Sequence, residues 1–230
     1  MKIAIIGTGM VGQTLAAKMN SLGHPVMLGT RNVEAAVSRT DRDNFGNPGF
    51  GEWYKANGWA KLGTIAEAVS FGELIINASQ GASSVSTLQL ANPGDFSGKV
   101  ILDIANPLDF SRGMPPSLYP ELSNTNSVGE EIQRTFPQAH VVKTLNTMNC
   151  GLMVNPGSLG NGDHINFICG NDTGAKEKVK SLLKEFGWKD ENIFDLGDIS
   201  AARTTEALVP LWVRIMSVKQ SVAFNFKIVE

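Results

Sequence analysis

Near the start of the chain the apolar run Lys2-Ile3-Ala4-Ile5-Ile6 breaks at Gly7-Thr8-Gly9-Met10-Val11-Gly12, and a helical pattern begins at Met10. A G-x-G-x-x-G loop carries information only in context, and here it closes a strand and opens a helix. Gly7 supplies a tight turn, Gly9 lets the backbone approach a pyrophosphate, and Gly12 lets helix and strand pack closely. Free amides and a positive dipole end at the helix N-terminus suit phosphate oxygens. The six residues Gly7, Thr8, Gly9, Met10, Val11 and Gly12 are therefore expected to hold a dinucleotide. A glycine-rich turn that binds nothing would not need this setting.

Further along, short apolar runs alternate with helical patterns. Strands are expected at 2–6, 25–28, 60–63, 73–78, 100–104, 140–145, 164–169 and 192–196. They show little period-2 alternation, as strands covered on both faces do. Helices are expected at 10–22, 65–71, 84–90, 128–136, 173–186 and 201–223. Ser127-Val128-Gly129-Glu130 fits a capping box, and Gly187 stops the helix that ends at Phe186. Alternation of this kind defines an α/β chain with a doubly wound parallel sheet. The stretches 41–57 and 106–126, rich in Gly, Pro and Asn, are expected to be long loops, either functional covers or solvated insertions.

Composition closes off other classes. A net charge of −2 without blocks of like charge argues against nucleic acid or an anionic membrane as partner. Cys150 and Cys169 have no neighbour at metal-ligand spacing, so neither a metal site nor a disulfide framework is expected. The first residues lack signal-peptide architecture, and no run of about 18 apolar residues occurs. A cytoplasmic protein is expected.

The end of the second strand bears on which dinucleotide fits. An NAD site would carry a carboxylate there for the ribose 2′-hydroxyl. This chain has Gly29-Thr30-Arg31-Asn32, with no carboxylate before Glu34. The Arg31 fork suits a 2′-phosphate, and Thr30 and Asn32 add neutral donors, so NADP(H) is favoured. Two more strand ends, Ala78-Ser79-Gln80 and Ala105-Asn106-Pro107, are expected to face the nicotinamide half. No catalytic acid–base set is evident: the chain has no Tyr-x-x-x-Lys pair and no paired His on a helix, His140 and His164 read as structural, and Lys143 has no assignable role. Transfer between a nicotinamide and a flavin-type ring needs chiefly two stacked rings, so it fits this absence. A binding-only NADP(H) sensor fits it equally.

Ile5-Ile6-Gly7-Thr8-Gly9-Met10-Val11-Gly12 with Gly29-Thr30-Arg31-Asn32 resembles the NADP oxidoreductase family typified by coenzyme F420-dependent NADP reductases. The likeness continues through Val141–Thr147 and through Ala201–Leu211 to Ile215-Met216. It implies an NADP-binding Rossmann domain at 1–150, a small C-terminal α/β lobe at 151–230, a homodimer, and hydride exchange between NADPH and a deazaflavin. Where the archaeal enzymes carry His, this chain has Asn146, in a version similar to the reductase domain of the STEAP metalloreductases. FMN or FAD thus stands beside F420 as acceptor, and Asn146, Thr147 and Met148 are the expected acceptor pocket. The insertion 45–59 has no match in the archaeal enzymes. An imine or hydroxyacid reductase is the other enzymatic alternative, disfavoured by the short C-terminal segment.

Overall fold

In chain order the strands are β1 (Ile3–Ile6), β2 (Val26–Thr30), β3 (Lys61–Thr64), β4 (Leu74–Asn77), β5 (Val100–Asp103), β6 (Leu108–Asp109), β7 (Ser117–Leu118), β8 (His140–Thr144), β9 (Asn166–Gly170) and β10 (Ile193–Asp195). The helices are α1 (Met10–Ser21), α2 (Val33–Ser38), α3 (Phe50–Ala56), α4 (Ile65–Phe71), α5 (Ser84–Leu88), α6 (Val128–Thr135), α7 (Cys150–Val154), α8 (Thr173–Phe186), α9 (Ala202–Ala207) and α10 (Val209–Lys219). These come from a computed structural model that describes residues 1–42 and 46–229.

Eight strands form one sheet in the order β10-β9-β8-β5-β4-β1-β2-β3. From β3 to β8 every pairing is parallel, with Ile3 opposite Val26 on one side and Leu74 on the other. This is the doubly wound arrangement the sequence predicts. The strand order reverses between β1 and β4, which opens a crevice beyond their carboxyl ends. One difference is that β9 pairs antiparallel with β8, Thr144 facing Ile168, and β10 follows β9. Apolar runs buried on both faces look alike in either direction, so the reversal leaves no sequence signal.

Alternate residues of the strands feed two cores. Ile3 and Ile5 pack with Leu15, Met19, Leu182 and Phe186 on one face, while Ala4 and Ile6 pack with Ile65, Val69, Leu88 and Ile132 on the other. All four β1 side chains are fully buried. Each isoleucine contributes about 1.5–3 kcal/mol of apolar burial, so the strand that delivers the glycine loop is firmly seated.

Several local expectations need correction. The stretch 41–57, expected to be irregular, contains α3; its residues 43–45 lie outside the described residues, as does Phe45 of the insertion. The glycines that read as loop composition serve close approach instead: a Cβ on Gly51 would stand 2.0 Å from the Val37 carbonyl oxygen. The helix α2 went unrecognised, although the Asn32 side chain caps it by accepting from the Ala35 amide at 2.9 Å. Within 106–126 the short strands β6 and β7 pair as a hairpin. The helix expected over 201–223 divides into α9 and α10, with Pro210 in the first turn of α10, and ends at Lys219. Proline tolerates a first turn because its missing N–H has no intrahelical partner there.

The capping box expected at Ser127 is half present. Ser127 accepts from the Glu130 amide at 3.1 Å, but the Glu130 carboxylate binds the Ser127 hydroxyl and Arg203 instead of reaching back. The reciprocal pair occurs at Thr64 and Glu67. At the other predicted signal, Gly187 adopts φ +103 and terminates α8.

Candidate functional site

The glycine loop leaves β1 with Gly7 at φ +122, a conformation that L side chains rarely adopt. A Cβ there would lie 2.5 Å from the Ala78 carbonyl oxygen, and one on Gly12 would lie 2.2 Å from the Gly7 carbonyl oxygen. Gly9 differs: it is the N-cap of α1 at φ −78, and nothing stands within 4 Å of where its Cβ would be. The space over Gly9 is thus open, as a pyrophosphate would require, while Gly7 and Gly12 are glycine for packing. The residues present fit a dinucleotide. Among the described residues no carboxylate occupies the first turn of α1, so its positive end is not neutralised.

Beside this loop lies a cleft of about 300 Å³ lined by Gly7, Thr8, Gly9, Thr30 and Arg31, with Ala78, Ser79 and Gln80 on its far wall. The sequence named all eight. It also named Asn32, which is spent on capping α2 and is not part of the lining. Met10 lines a neighbouring recess, and Gly12 is buried. The cleft also holds Arg39, which the sequence reading missed. Its Nη2 donates to the Thr8 carbonyl at 3.1 Å and to Thr8 Oγ1 at 2.9 Å. Arg39 directly follows α2, a helix the sequence did not reveal, so spacing offered no cue.

Ala78, Ser79 and Gln80 also form part of a second cavity of about 630 Å³, so the two spaces share one wall. Of the expected residues, Val11, Ala105, Asn106, Asn146 and Met148 line this cavity, whereas Pro107 and Thr147 do not. Further walls come from the stretch expected to be a long loop and from the segment expected to be a C-terminal helix. The β6–β7 hairpin region brings Asp109, Phe110 and Tyr119, and the C-terminal helix brings Val209, Trp212 and Val213. A firm hydrogen bond to the Ser111 amide holds the Asp109 carboxyl below its ordinary range.

Asn146 is set by the backbone before it. Leu145 takes φ +63, unusual for a side chain of its size, and is buried, so the chain swings sharply out of β8. Asn146 Nδ2 then donates to Asn106 Oδ1 at 2.9 Å, and Asn106 Nδ2 donates to the Asn146 carbonyl at 2.9 Å. This reciprocal pairing fixes which end of the amide is which and leaves Asn146 Oδ1 buried without a partner. The indole nitrogen of Trp212 is buried and unpartnered too. Such groups are uncommon in folded proteins, and both of these belong to residues that line the same cavity.

Beneath the crevice floor sits a buried ionic group. Lys143 Nζ lies 2.7 Å from Asp103 Oδ2 and 2.8 Å from Glu206 Oε1, and it also donates to the Ala105 carbonyl. Burial alone would drag its ammonium down; the carboxylates of Asp103 and Glu206 more than reverse this and raise it above its ordinary value. Burial pushes the Glu206 carboxyl up, against the pull of Lys143 and the Val128 amide. Glu206 also accepts from the Val128 and Gly129 amides at 2.9 and 3.2 Å, so it caps α6 from 77 or more residues away. Asp103 accepts from Asn77 Nδ2 at 2.7 Å, and Asn77 Oδ1 accepts from the Ser79 hydroxyl at 2.6 Å. A continuous polar chain therefore runs from Lys143 to the shared wall of the two spaces. His140 and His164 line neither: His140 faces Asp172 at 3.6 Å, and His164 Nε2 donates to the Pro156 carbonyl at 3.0 Å.

A cleft beside the glycine loop that holds Arg31 and Arg39 and no carboxylate adjoins a second, partly open cavity, an arrangement with room for a phosphorylated dinucleotide and a neighbouring molecule. Residues 2–107 match the family described as NADP oxidoreductase, coenzyme F420-dependent. The crystal structure of a candidate F420-dependent NADP reductase from Arthrobacter sp. FB24 is 48% identical over 100% of both chains, with a TM-score of 0.93. The metalloreductase STEAP3 of Rattus norvegicus is 26% identical over 92% of this chain, and the chain spans only 38% of that protein's length. An imine reductase from Aspergillus terreus, solved with NADPH4 and dibenz[c,e]azepine, shares the fold at a TM-score of 0.60 and 16% identity, covering 94% of this chain and 61% of the other. The class is that of the NADP-dependent oxidoreductases. Within it, the chain belongs to the coenzyme F420-dependent NADP oxidoreductase family.

Proposed function

We propose that the protein transfers a hydride between NADP(H) and the ring of a flavin or deazaflavin, with F420, FMN and FAD as the acceptors to test. The observation that carries this is the shared wall: Ala78, Ser79 and Gln80 belong both to the cleft beside the glycine loop and to the larger cavity. A dinucleotide laid along the crevice would put its adenosine end by Thr30 and Arg31 and its nicotinamide at that wall. NADPH supplies the hydride when bound. The chain supplies position and dryness: Met148, Met153, Val209 and Val213 give the larger cavity apolar sides against which a flat ring can lie. The unpartnered Asn146 Oδ1 accepts a ring N–H, and the unpartnered Trp212 Nε1 donates to a ring carbonyl. A flavin or deazaflavin pyrimidine edge offers both groups side by side. For each hydride transferred to the ring, one proton is taken up from solvent, so no buried acid has to be consumed.

On this reading residues 1–150 hold the cofactor, and 151–230 form a C-terminal lobe that helps to close the acceptor cavity through Val209, Trp212 and Val213. No helix among the described residues is long and apolar enough to cross a membrane. We assign the protein to the cytoplasm and expect a homodimer, with exposed Leu211 and Val218 of α10 available for the contact. The test is anaerobic oxidation of NADPH in the presence of F420, FMN or FAD, following both the nicotinamide and the ring absorbance. Absence of turnover with all three, alongside normal NADPH binding, would overturn the proposal.

A further inference from the structure

Arg39 stands outside every motif of the sequence, yet the fold invests a whole element in placing it. It follows α2 and turns its side chain back to the glycine loop, where one nitrogen, Nη2, bridges the carbonyl and hydroxyl oxygens of Thr8. Its carbon Cζ sits 5.8 Å from the centroid of the Phe50 ring. Phe50 is 1% exposed and stacks with Trp53 and Tyr54 at 5.8 Å each. The backbone is held as well, since the Gly51 amide donates to the Arg39 carbonyl at 2.8 Å. A Cβ on Gly49 would come within 2.5 Å of that same carbonyl. Helix α3 is thus docked against both the side chain and the backbone of Arg39.

The guanidinium is not used up by these contacts. Nη2 serves Thr8, while Nε and Nη1 keep three N–H donors without partners among the described residues. The cleft that Arg39 lines contains a second guanidinium, Arg31, and no carboxylate. Asp41 shares only the neighbouring recess with Arg39. Two like charges in one cleft repel unless an anion of matching charge joins them, and a phosphate monoester carries close to two. By accepting from Arg39, the Thr8 oxygen also leaves its own hydrogen free to donate to a phosphate oxygen.

We propose that Arg39 is a second residue that reads the cofactor's 2′-phosphate, closing with Arg31 a two-guanidinium clamp held open by Phe50 and Thr8. The assignment rests on NADP(H) as the cofactor and does not depend on the identity of the acceptor. Both arginines are exposed, but Arg39 is already tied to Thr8 before binding and so loses less freedom on capture.

The experiment is equilibrium binding of NADPH, NADH, 2′,5′-ADP and 5′-AMP to the wild type, R39M and R39K, with thermal unfolding of each variant. R39M should weaken NADPH and 2′,5′-ADP by about 10- to 100-fold while leaving NADH and 5′-AMP within about threefold. R39K keeps the charge but replaces the planar fork by a single ammonium that cannot bind a phosphate bidentately, so it should lose affinity for the same two ligands to a smaller extent. If R39M does not fold, R39K decides. Equal losses for NADPH and NADH would overturn the proposal, leaving Arg39 as a brace for the glycine loop. Unchanged affinities throughout would overturn it as well. Because no acceptor is present, a failure of flavin turnover cannot be mistaken for either result.

Discussion

Replacing Lys143 by methionine keeps the length of the side chain and removes the ammonium. Asp103 and Glu206 would then face each other with no exposed surface around Lys143 and almost none around themselves. What remains for them is one side-chain donor and one amide on Asp103, from Asn77 and Ala105, and two amides on Glu206. Breaking a buried pair by removing one partner costs about 3–5 kcal/mol, a large part of the roughly 5–15 kcal/mol that holds a domain together. For a chain of this size that corresponds to a fall in Tm of roughly 6–20 °C. The pH dependence has a definite sign. Burial already raises the Glu206 carboxyl, so its contribution to stability is most favourable when it is protonated and is lost as pH rises through and above its unfolded value of 4.5. Without Lys143 the Glu206 carboxyl loses the partner that pulls it down and rises further, so the gap in Tm between variant and wild type should be smaller at pH 5 than at pH 8. Adding Glu206→Gln to Lys143→Met should restore part of the loss by removing one of the two charges. Calorimetric scans at both pH values provide the measurement. A variant within about 1 kcal/mol of wild type, or a gap that does not change with pH, would refute this reading of the triad.

Three further outcomes are expected. Gly9→Ala should unfold at the wild-type temperature, since φ −78 suits any residue and the Cβ meets nothing, yet it should weaken NADPH binding; Gly12→Ala should lower Tm, because its Cβ would overlap the Gly7 carbonyl. Arg31→Ala should weaken NADPH by about 1–3 kcal/mol and NADH far less, as isothermal titration would show; equal losses would mean that Arg31 does not read the phosphate. Trp212→Phe removes the orphan donor while keeping a flat ring, so it should raise the KM for the acceptor and leave the Kd for NADPH unchanged; a changed Kd would move Trp212 from the acceptor cavity to the cofactor cleft.

The cofactor half of the site could be read from the chain because its physics is local. Gly7, Gly9 and Gly12 act within one turn of β1 and α1, and Thr30-Arg31 follows directly from the next strand. The acceptor half could not be read this way. Asn106 and Asn146 meet across 40 residues, and Glu206 reaches the α6 amides across 77 and 78. Nothing in a periodicity or a spacing records such a meeting. Arg39 escaped notice for another reason: Gly49 and Gly51 look like loop residues, and only the packed structure shows that they let α3 lie directly on α2.

The reversal of β9 and β10 divides the rims of the molecule. Because these strands run against β8, the turn at 171–172, the start of α8 and the turn at 196–198 open on the edge of the sheet opposite the crevice. Thr173, Gly197 and Asp198 are exposed there. A fluorophore, an electrode linker or a fused domain attached at that edge would leave the substrate side unobstructed, so the enzyme can be anchored to a surface with its entrance facing outward.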